Sequence, residues 1–265
     1  MSSPSTTSTL IARIPYLNTE PFYRTFQATG YELLDLPPRQ LGEAAAKGRV
    51  VAGPMSLCDW LNLEEQFEPL GPYGIASLGA VRSVLLFSRK PIEELAGGSI
   101  AITEETSTSV RLLEVLFRDY WGVRPAVWRR GTTEPTDAML LIGDAALRAR
   151  AARLSGAMSE YPVMVDLAAA WSEWQKKPFV FALWVVKRDL PLEEKKILSM
   201  RFEDSLYEGL KAIPIIATER SADLGLPPDE LEAYLRHFRY RLGPDDWEGL
   251  NTFRRLIENV RHADG

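Results

Sequence analysis

Strand and helix signatures alternate along most of this chain, and that alternation leaves few folds open. Apolar runs at 9–14, 31–36 and 50–53 are each followed by a polar or proline-bearing turn and then by a helix-favouring segment. The clearest helix is 39–47, rich in alanine, with Gly48 as a stop. An extended stretch at 73–88 then interrupts the rhythm, which restarts with strands at 100–103, 125–128, 139–144 and 162–167. Helices are expected at 109–120, 145–154 and 168–174. A strongly apolar, β-branched and aromatic run at 178–186 reads as a return strand. The pattern predicts an α/β protein of two lobes, each a parallel or mixed sheet flanked by helices, joined by two crossing strands that act as a hinge. The expected boundaries are 1–90 and 185–265 for the first lobe and 91–184 for the second. Beyond Pro191 the reading is helical, at 192–211, 228–242 and 245–260, with these helices packed on the first lobe.

In such sheets, ligands collect at the carboxyl ends of the strands, so the turns there are the candidate site. The first runs Arg-Ile-Pro-Tyr-Leu-Asn-Thr-Glu-Pro-Phe over 13–22. Proline suits the first helical position, so a helix is expected to start at Pro21, with Asn18 and Thr19 beside its free amides and Tyr16 just before them. The second runs Thr106, Ser107, Thr108, Ser109 into the helix at 109–120. Each of these residues alone reads as an ordinary turn or cap. Two donor-rich turns together read as two walls of an anion site. Ser56 leaves the third strand, and Gly143 and Asp144 end another, where a glycine lets backbone approach a ligand closely. Asp144 has two readings, orienting a site group or capping the helix that begins at 145. Phe181 and Trp184 wall the ligand or fill the core.

Composition removes several function classes. With 265 residues and 46% hydrophobic content, the chain can fill a sizeable core. A net charge of −5 argues against a nucleic-acid binder. The single cysteine, Cys58, reads as a small buried apolar residue, and the two histidines, His237 and His262, both lie near the C-terminus. No cysteine–histidine metal cluster can be assembled, and neither metal nor cofactor is expected. The Ser/Thr-rich start at 1–8 has no signal-peptide pattern and no apolar run is long enough for a bilayer, so a cytoplasmic protein without membrane contact is expected.

Five ordered motifs then carry a family resemblance: Tyr-Leu-Asn-Thr-Glu-Pro at 16–21, Gly-Ala-Val-Arg-Ser-Val at 79–84, Thr-Ser-Thr-Ser-Val-Arg-Leu-Leu at 106–113, Ile-Gly-Asp-Ala-Ala-Leu at 142–147 and Pro-Phe-Val-Phe-Ala-Leu-Trp at 178–184. The chain resembles the chorismate dehydratases of the futalosine route to menaquinone over roughly residues 11–186. The resemblance implies a type II periplasmic-binding-protein fold and conversion of chorismate to 3-[(1-carboxyvinyl)oxy]benzoate and water. It further implies Asn18 and Ser83 as the residues at the reacting portion. Tyr16, Thr19, Ser56, Thr106, Ser107, Thr108, Ser109, Gly143, Asp144 and Phe181 would contact the substrate. One departure is Met55, where the family usually has an aliphatic residue and proline before serine. The Ser-Pro-Cys-Pro-Asn-Asp opening of the sister enzyme that makes dihydroxynaphthoate is absent. The alternative expectation is a non-catalytic cytoplasmic binding protein for a small carboxylate.

Overall fold

A computed structural model describes residues 10–131 and 134–263, with side chains to 258. The Ser/Thr-rich start and Thr9, at the head of the first expected strand, lie outside the described residues, as does the side chain of His262. The chain opens with β1 (Leu10–Arg13), a 3-10 turn (Leu17–Phe22), β2 (Glu32–Asp35), α1 (Pro38–Ala46), β3 (Ala52–Ser56), α2 (Leu57–Leu63) and β4 (Phe67–Ser77). It continues through β5 (Val84–Ser88), β6 (Ser99–Ile102), α3 (Thr108–Val115), β7 (Val127–Arg130), β8 (Ala138–Ile142), α4 (Gly143–Leu154), β9 (Val163–Asp166) and α5 (Leu167–Gln175). Then come β10 (Phe179–Lys187), α6 (Leu192–Lys211), α7 (Ile213–Leu224), α8 (Pro228–His237), β11 (Arg239–Arg241) and α9 (Pro244–Ala263).

Two mixed sheets result, ordered β11-β4-β10-β3-β1-β2 and β7-β6-β8-β5-β9. Within each, the βα units supply the parallel pairs, β1 with β2 and β3, and β6 with β7 and β8. The strands that travel between sheets, β5 and β10, pair antiparallel. The carboxyl ends of β1, β3, β6 and β8 therefore deliver the turns at 14–19, 56, 103–109 and 143 to one place. Register fixes the neighbours: Ser56 stands opposite Ala182 in the first sheet and Val84 opposite Ile142 in the second. The main apolar core runs through both sheets, its largest fully buried side chains including Trp171, Trp184, Phe22 and Phe202, and a smaller cluster of Leu85, Phe87, Ala146 and Tyr161 lies between β5 and α4.

Several elements differ from the sequence reading. The chain changes sheets at 78–83 and at 176–178, so β5, on the first-lobe side of the expected 90/91 boundary, belongs to the second sheet, and β10, which the expected 184/185 boundary cuts, belongs wholly to the first. Both strands are apolar enough to be sheet interior, and backbone pairing, invisible in composition, decides which sheet takes them. The third strand starts two residues later than expected and runs through Pro54 to Ser56. The helix expected at 109–120 becomes α3 followed by a π turn over Leu116–Tyr120, where Tyr120 stacks on Trp174. The C-terminal third is not all helix: Phe238 is extended, and β11 covers the edge of β4. A sheet edge with unpaired amides gains more from that strand than the helix gains from another turn. Helix α7 went unread, though Pro214 at its start and the left-handed Gly225 at its end mark it.

Most consequential is the opening turn. No helix starts at Pro21; a 3-10 turn starts at Leu17, with Asn18 inside it and Pro21 in its last half. Its apolar side, Leu17, Pro21 and Phe22, is buried, and Phe22 stacks on Trp184 with ring centroids 3.6 Å apart. Helix α6 backs the turn through Gly209, where an added Cβ would meet the Pro21 carbonyl oxygen at 1.8 Å. Glycine to alanine in a helix interior normally gains up to about 1 kcal/mol. Gly209→Ala is instead expected to lower stability by about 1–3 kcal/mol, the cost of overpacking against backbone. Urea unfolding measures this, and an unchanged or higher midpoint would contradict the packing.

Candidate active site

The converging turns enclose a cavity of about 590 Å³, counted out to its mouth. All the site residues expected from the sequence line it except Asp144. The remaining wall is apolar: Ile14, Ile75, Val81, Val84, Ile142 and Phe238 among others. Phe181 reaches the cavity because β10 bulges between Val180 and Ala182 against β4, and a bulge re-aims the side chain beside it. Trp184 does not line it; the indole is fully buried in the core against Phe22. No lining side chain carries a formal charge. An anion here must be held by hydroxyls, amides and helix ends.

Each polar lining group has a definite local role. Thr19 folds the turn on itself, with Oγ1 2.5 Å from the Ile14 carbonyl and 2.9 Å from that of Tyr16. Ser56 caps α2, accepting the Asp59 N–H at 3.3 Å and donating to the Asp59 carboxylate at 2.7 Å. Thr108 Oγ1 accepts the Cys58 N–H at 3.0 Å, and Ser107 hydrogen-bonds Asp59, so the starts of α2 and α3 are stitched together across the cavity. Accepting that N–H does not consume the Thr108 O–H, which with the first-turn amides of α3 supplies donors for an anion. Burial pushes the Asp59 carboxyl up and the Cys58 thiol up to about 12, so Cys58 is no nucleophile.

Ser83 is buried in the crossing segment, its hydroxyl 3.0 Å from the Tyr234 hydroxyl and its carbonyl accepting the Gly143 N–H at 2.8 Å. Asp166 holds that segment. Its carboxylate accepts the N–H groups of Val81 at 3.1 Å and Arg82 at 2.6 Å while capping α5 through Ala168 and Ala169. The Gly79 N–H donates to Ser172 Oγ at 2.8 Å, tying the first crossing to α5, the helix that leads into the second. Two buried polar atoms at the cavity lack any protein partner: Asn18 Oδ1 and Thr106 Oγ1. A buried polar atom without a partner is costly, and a cavity that collects two of them is arranged for a ligand.

The expected anion site at the first turn is filled by the protein itself. The Leu17 N–H donates at 2.9 Å to Asp144 Oδ1, so Asp144 orients a backbone amide of the site turn and does not cap its own helix. Burial pushes the Asp144 carboxyl up to about 6, against the pull of the Leu17 N–H and Arg148. Tyr16 donates its hydroxyl to Glu105, and burial together with that carboxylate holds the phenol well above its ordinary range. Glu105, Arg220, Tyr234 and Phe238 were missed from the sequence. Tyr234 and Ser83 are 151 residues apart and Tyr16 and Glu105 are 89 apart, so no local motif joins them.

A family model described as menaquinone biosynthesis matches residues 9–259. The chain belongs to this menaquinone-biosynthesis family. A relative named chorismate dehydratase, from Thermus thermophilus, is 32% identical over 91% of this chain and 92% of its own. Among solved structures, a protein of Archaeoglobus fulgidus superposes with a TM-score of 0.75 at 16% identity, covering 97% of this chain and 98% of the other. The alkanesulfonate-binding protein SsuA of Xanthomonas axonopodis pv. citri does so at 0.65 and 14% identity, covering 98% and 95%. The fold is that of periplasmic binding proteins, and in this family member its cleft carries the motifs at 16–21, 79–84, 106–113 and 142–147.

Gly143 gives this site its tightest steric constraint. Its φ is +57°, and an added Cβ would meet the Tyr16 ring at 2.8 Å. Gly143→Ala is expected to destabilise the protein by about 1–3 kcal/mol, from left-handed strain plus displacement of Tyr16. Thermal melting reports the stability loss, and a melting temperature equal to wild type would show that Tyr16 does not rest on this glycine.

Proposed function

We propose that the protein dehydrates chorismate to 3-[(1-carboxyvinyl)oxy]benzoate and water, as a hydro-lyase of menaquinone biosynthesis. The observation that carries the reading is the uncharged, enclosed cavity in which Asn18 Oδ1 and Thr106 Oγ1 stand unpartnered. Chorismate carries two carboxylates, a ring hydroxyl and an enolpyruvyl ether on a cyclohexadiene. The apolar wall with Phe181 and Phe238 suits the ring. A carboxylate fits the start of α3, where the dipole contributes about 0.3–1 kcal/mol and charge-assisted amide bonds add to it. The ring hydroxyl supplies the donor that Asn18 Oδ1 lacks.

The reaction then needs a proton removed from ring carbon and hydroxide expelled. The C–H electron pair becomes ring π-bonding, the C–O bond breaks, and the departing oxygen takes a proton to leave as water. Aromatisation supplies the driving force. No histidine, ionised acid or accessible thiol lines the cavity, so the substrate's own carboxylate serves as proton carrier. Asn18 and Ser83 orient the hydroxyl and hydrogen-bond the charge that develops, with Tyr234 holding the Ser83 hydroxyl. In this reading the two sheets belong to lobes that close over substrate and open to release product.

Incubating the pure protein with chorismate and following the aromatic product by absorbance and mass tests the reading directly. Binding without product over hours would make it a carboxylate-binding protein instead. Asn18→Ala and Ser83→Ala are each expected to lower kcat by about 10²–10³, the scale of losing one donor to developing charge, with Tm near wild type. Thr106→Val is expected mainly to raise KM, by roughly 3–10-fold, the signature of lost ground-state binding. Full kcat in both alanine variants would remove the roles given to Asn18 and Ser83.

A further inference from the structure

The turn that carries Asn18 is gripped at both of its ends by one charged cluster that lies outside the cavity. At its start, the Leu17 N–H donates to Asp144 Oδ1. Toward its end, the Glu20 carboxylate accepts from Arg220, a residue of α7. Arg220 closes the loop by donating through its other terminal nitrogen to Asp144 Oδ2 at 2.6 Å, with a further contact to Asp223 at 3.2 Å. Asp144 is 7% exposed and the Arg220 side chain only 23%, so water screens this grip far less than a surface pair. The geometry also needs arginine in particular, because two nitrogens must meet carboxylates on two different elements at once.

Apart from this grip, the polar side of the turn is held by Thr19, whose bonds run back to the carbonyls of Ile14 and Tyr16 within the same segment and tie it to no other element. The turn is six residues long, contains a proline that gives no N–H, and its start has no side-chain cap of its own. Aromatic packing of Phe22 and the glycine contact at 209 fix its apolar side but do not reach Asn18. Asn18 and Thr19 lie between the two gripped positions, so the placement of Leu17 and Glu20 sets theirs.

We propose that Arg220 is a positioning residue for the reaction: by bridging Glu20 to Asp144 it sets the orientation of the Asn18 amide in the cavity without touching substrate. The proposal rests on the dehydratase reading for its kinetic consequence and on the structure alone for its mechanical one, and the two are measured separately. Arg220→Ala is expected to accelerate amide hydrogen exchange across 17–22 by about tenfold, the scale of losing a charge-assisted anchor, with little change elsewhere in the first sheet. It is also expected to lower kcat about tenfold with KM within twofold of wild type. In the Asn18→Ala background the same change should cost nothing further, because its effect passes through Asn18. Arg220→Lys, which keeps the charge but reaches one carboxylate at a time, should fall between wild type and alanine.

Unchanged exchange at 17–22 in Arg220→Ala overturns the proposal whatever the enzyme does. A kcat loss of equal size in wild-type and Asn18→Ala backgrounds overturns it as well, showing that Arg220 supports the fold generally. If the wild-type protein yields no product from chorismate, the dehydratase reading fails, and the exchange measurement alone decides whether the clamp exists.

Discussion

A six-residue 3-10 turn cannot hold a polar side chain in a fixed place by its own hydrogen bonds, because most of its amides have no partner inside it. Everything else in the site answers that shortage. The Leu17 amide is capped by a carboxylate from the other sheet, and Thr19 folds back on the carbonyls of residues 14 and 16. Phe22 is driven into the aromatic core beside Trp184, and helix α6 gives up a side chain at Gly209 so that backbone can back backbone. Asn18 is left as the residue that faces inward with an acceptor to spare.

A second carboxylate does comparable work at the crossing. Asp166 is largely buried, which pushes its pKa up, yet four backbone amides converge on it and favour the ionised form. Two of those amides belong to the segment that leaves the first sheet and two to the helix that leads back to it. The positive φ of Arg82, unusual for a residue with a side chain, is held in place by this bond. Ser83 follows directly, so its hydroxyl is located by an interaction that never touches the cavity.

The cavity is neutral although the proposed substrate is a dianion. Taking charged side chains out of water to meet charged ligand groups costs both partners their hydration. Backbone amides at a helix start provide aligned donors already paid for by folding, and hydroxyls adapt to whichever oxygen arrives. The charges the protein does use, Asp144 with Arg220 and the Glu105 carboxylate that accepts from the Tyr16 hydroxyl, are absent from the lining and order its walls from behind.

What the sequence by itself determined is the part governed by short-range rules. Periodicity and stop residues placed most βα units, proline and hydroxyl clusters marked the turns at strand ends, and the motifs at 16–21, 79–84, 106–113 and 142–147 hold 12 of the 19 residues that line the cavity. Tertiary structure decided the rest, because those outcomes depend on partners distant in the chain. Which sheet received β5 and β10 turned on backbone pairing, and Phe238 turned extended because β4 had an open edge to cover. Local pattern left Asp144 between orienting a site group and capping its own helix, and the partners that decide it, Leu17 and Arg220, lie 127 and 76 residues away. A hydrogen-bonding group declares its chemistry in the sequence, but which partner satisfies it is settled only when the chain has brought every competitor within about 3 Å.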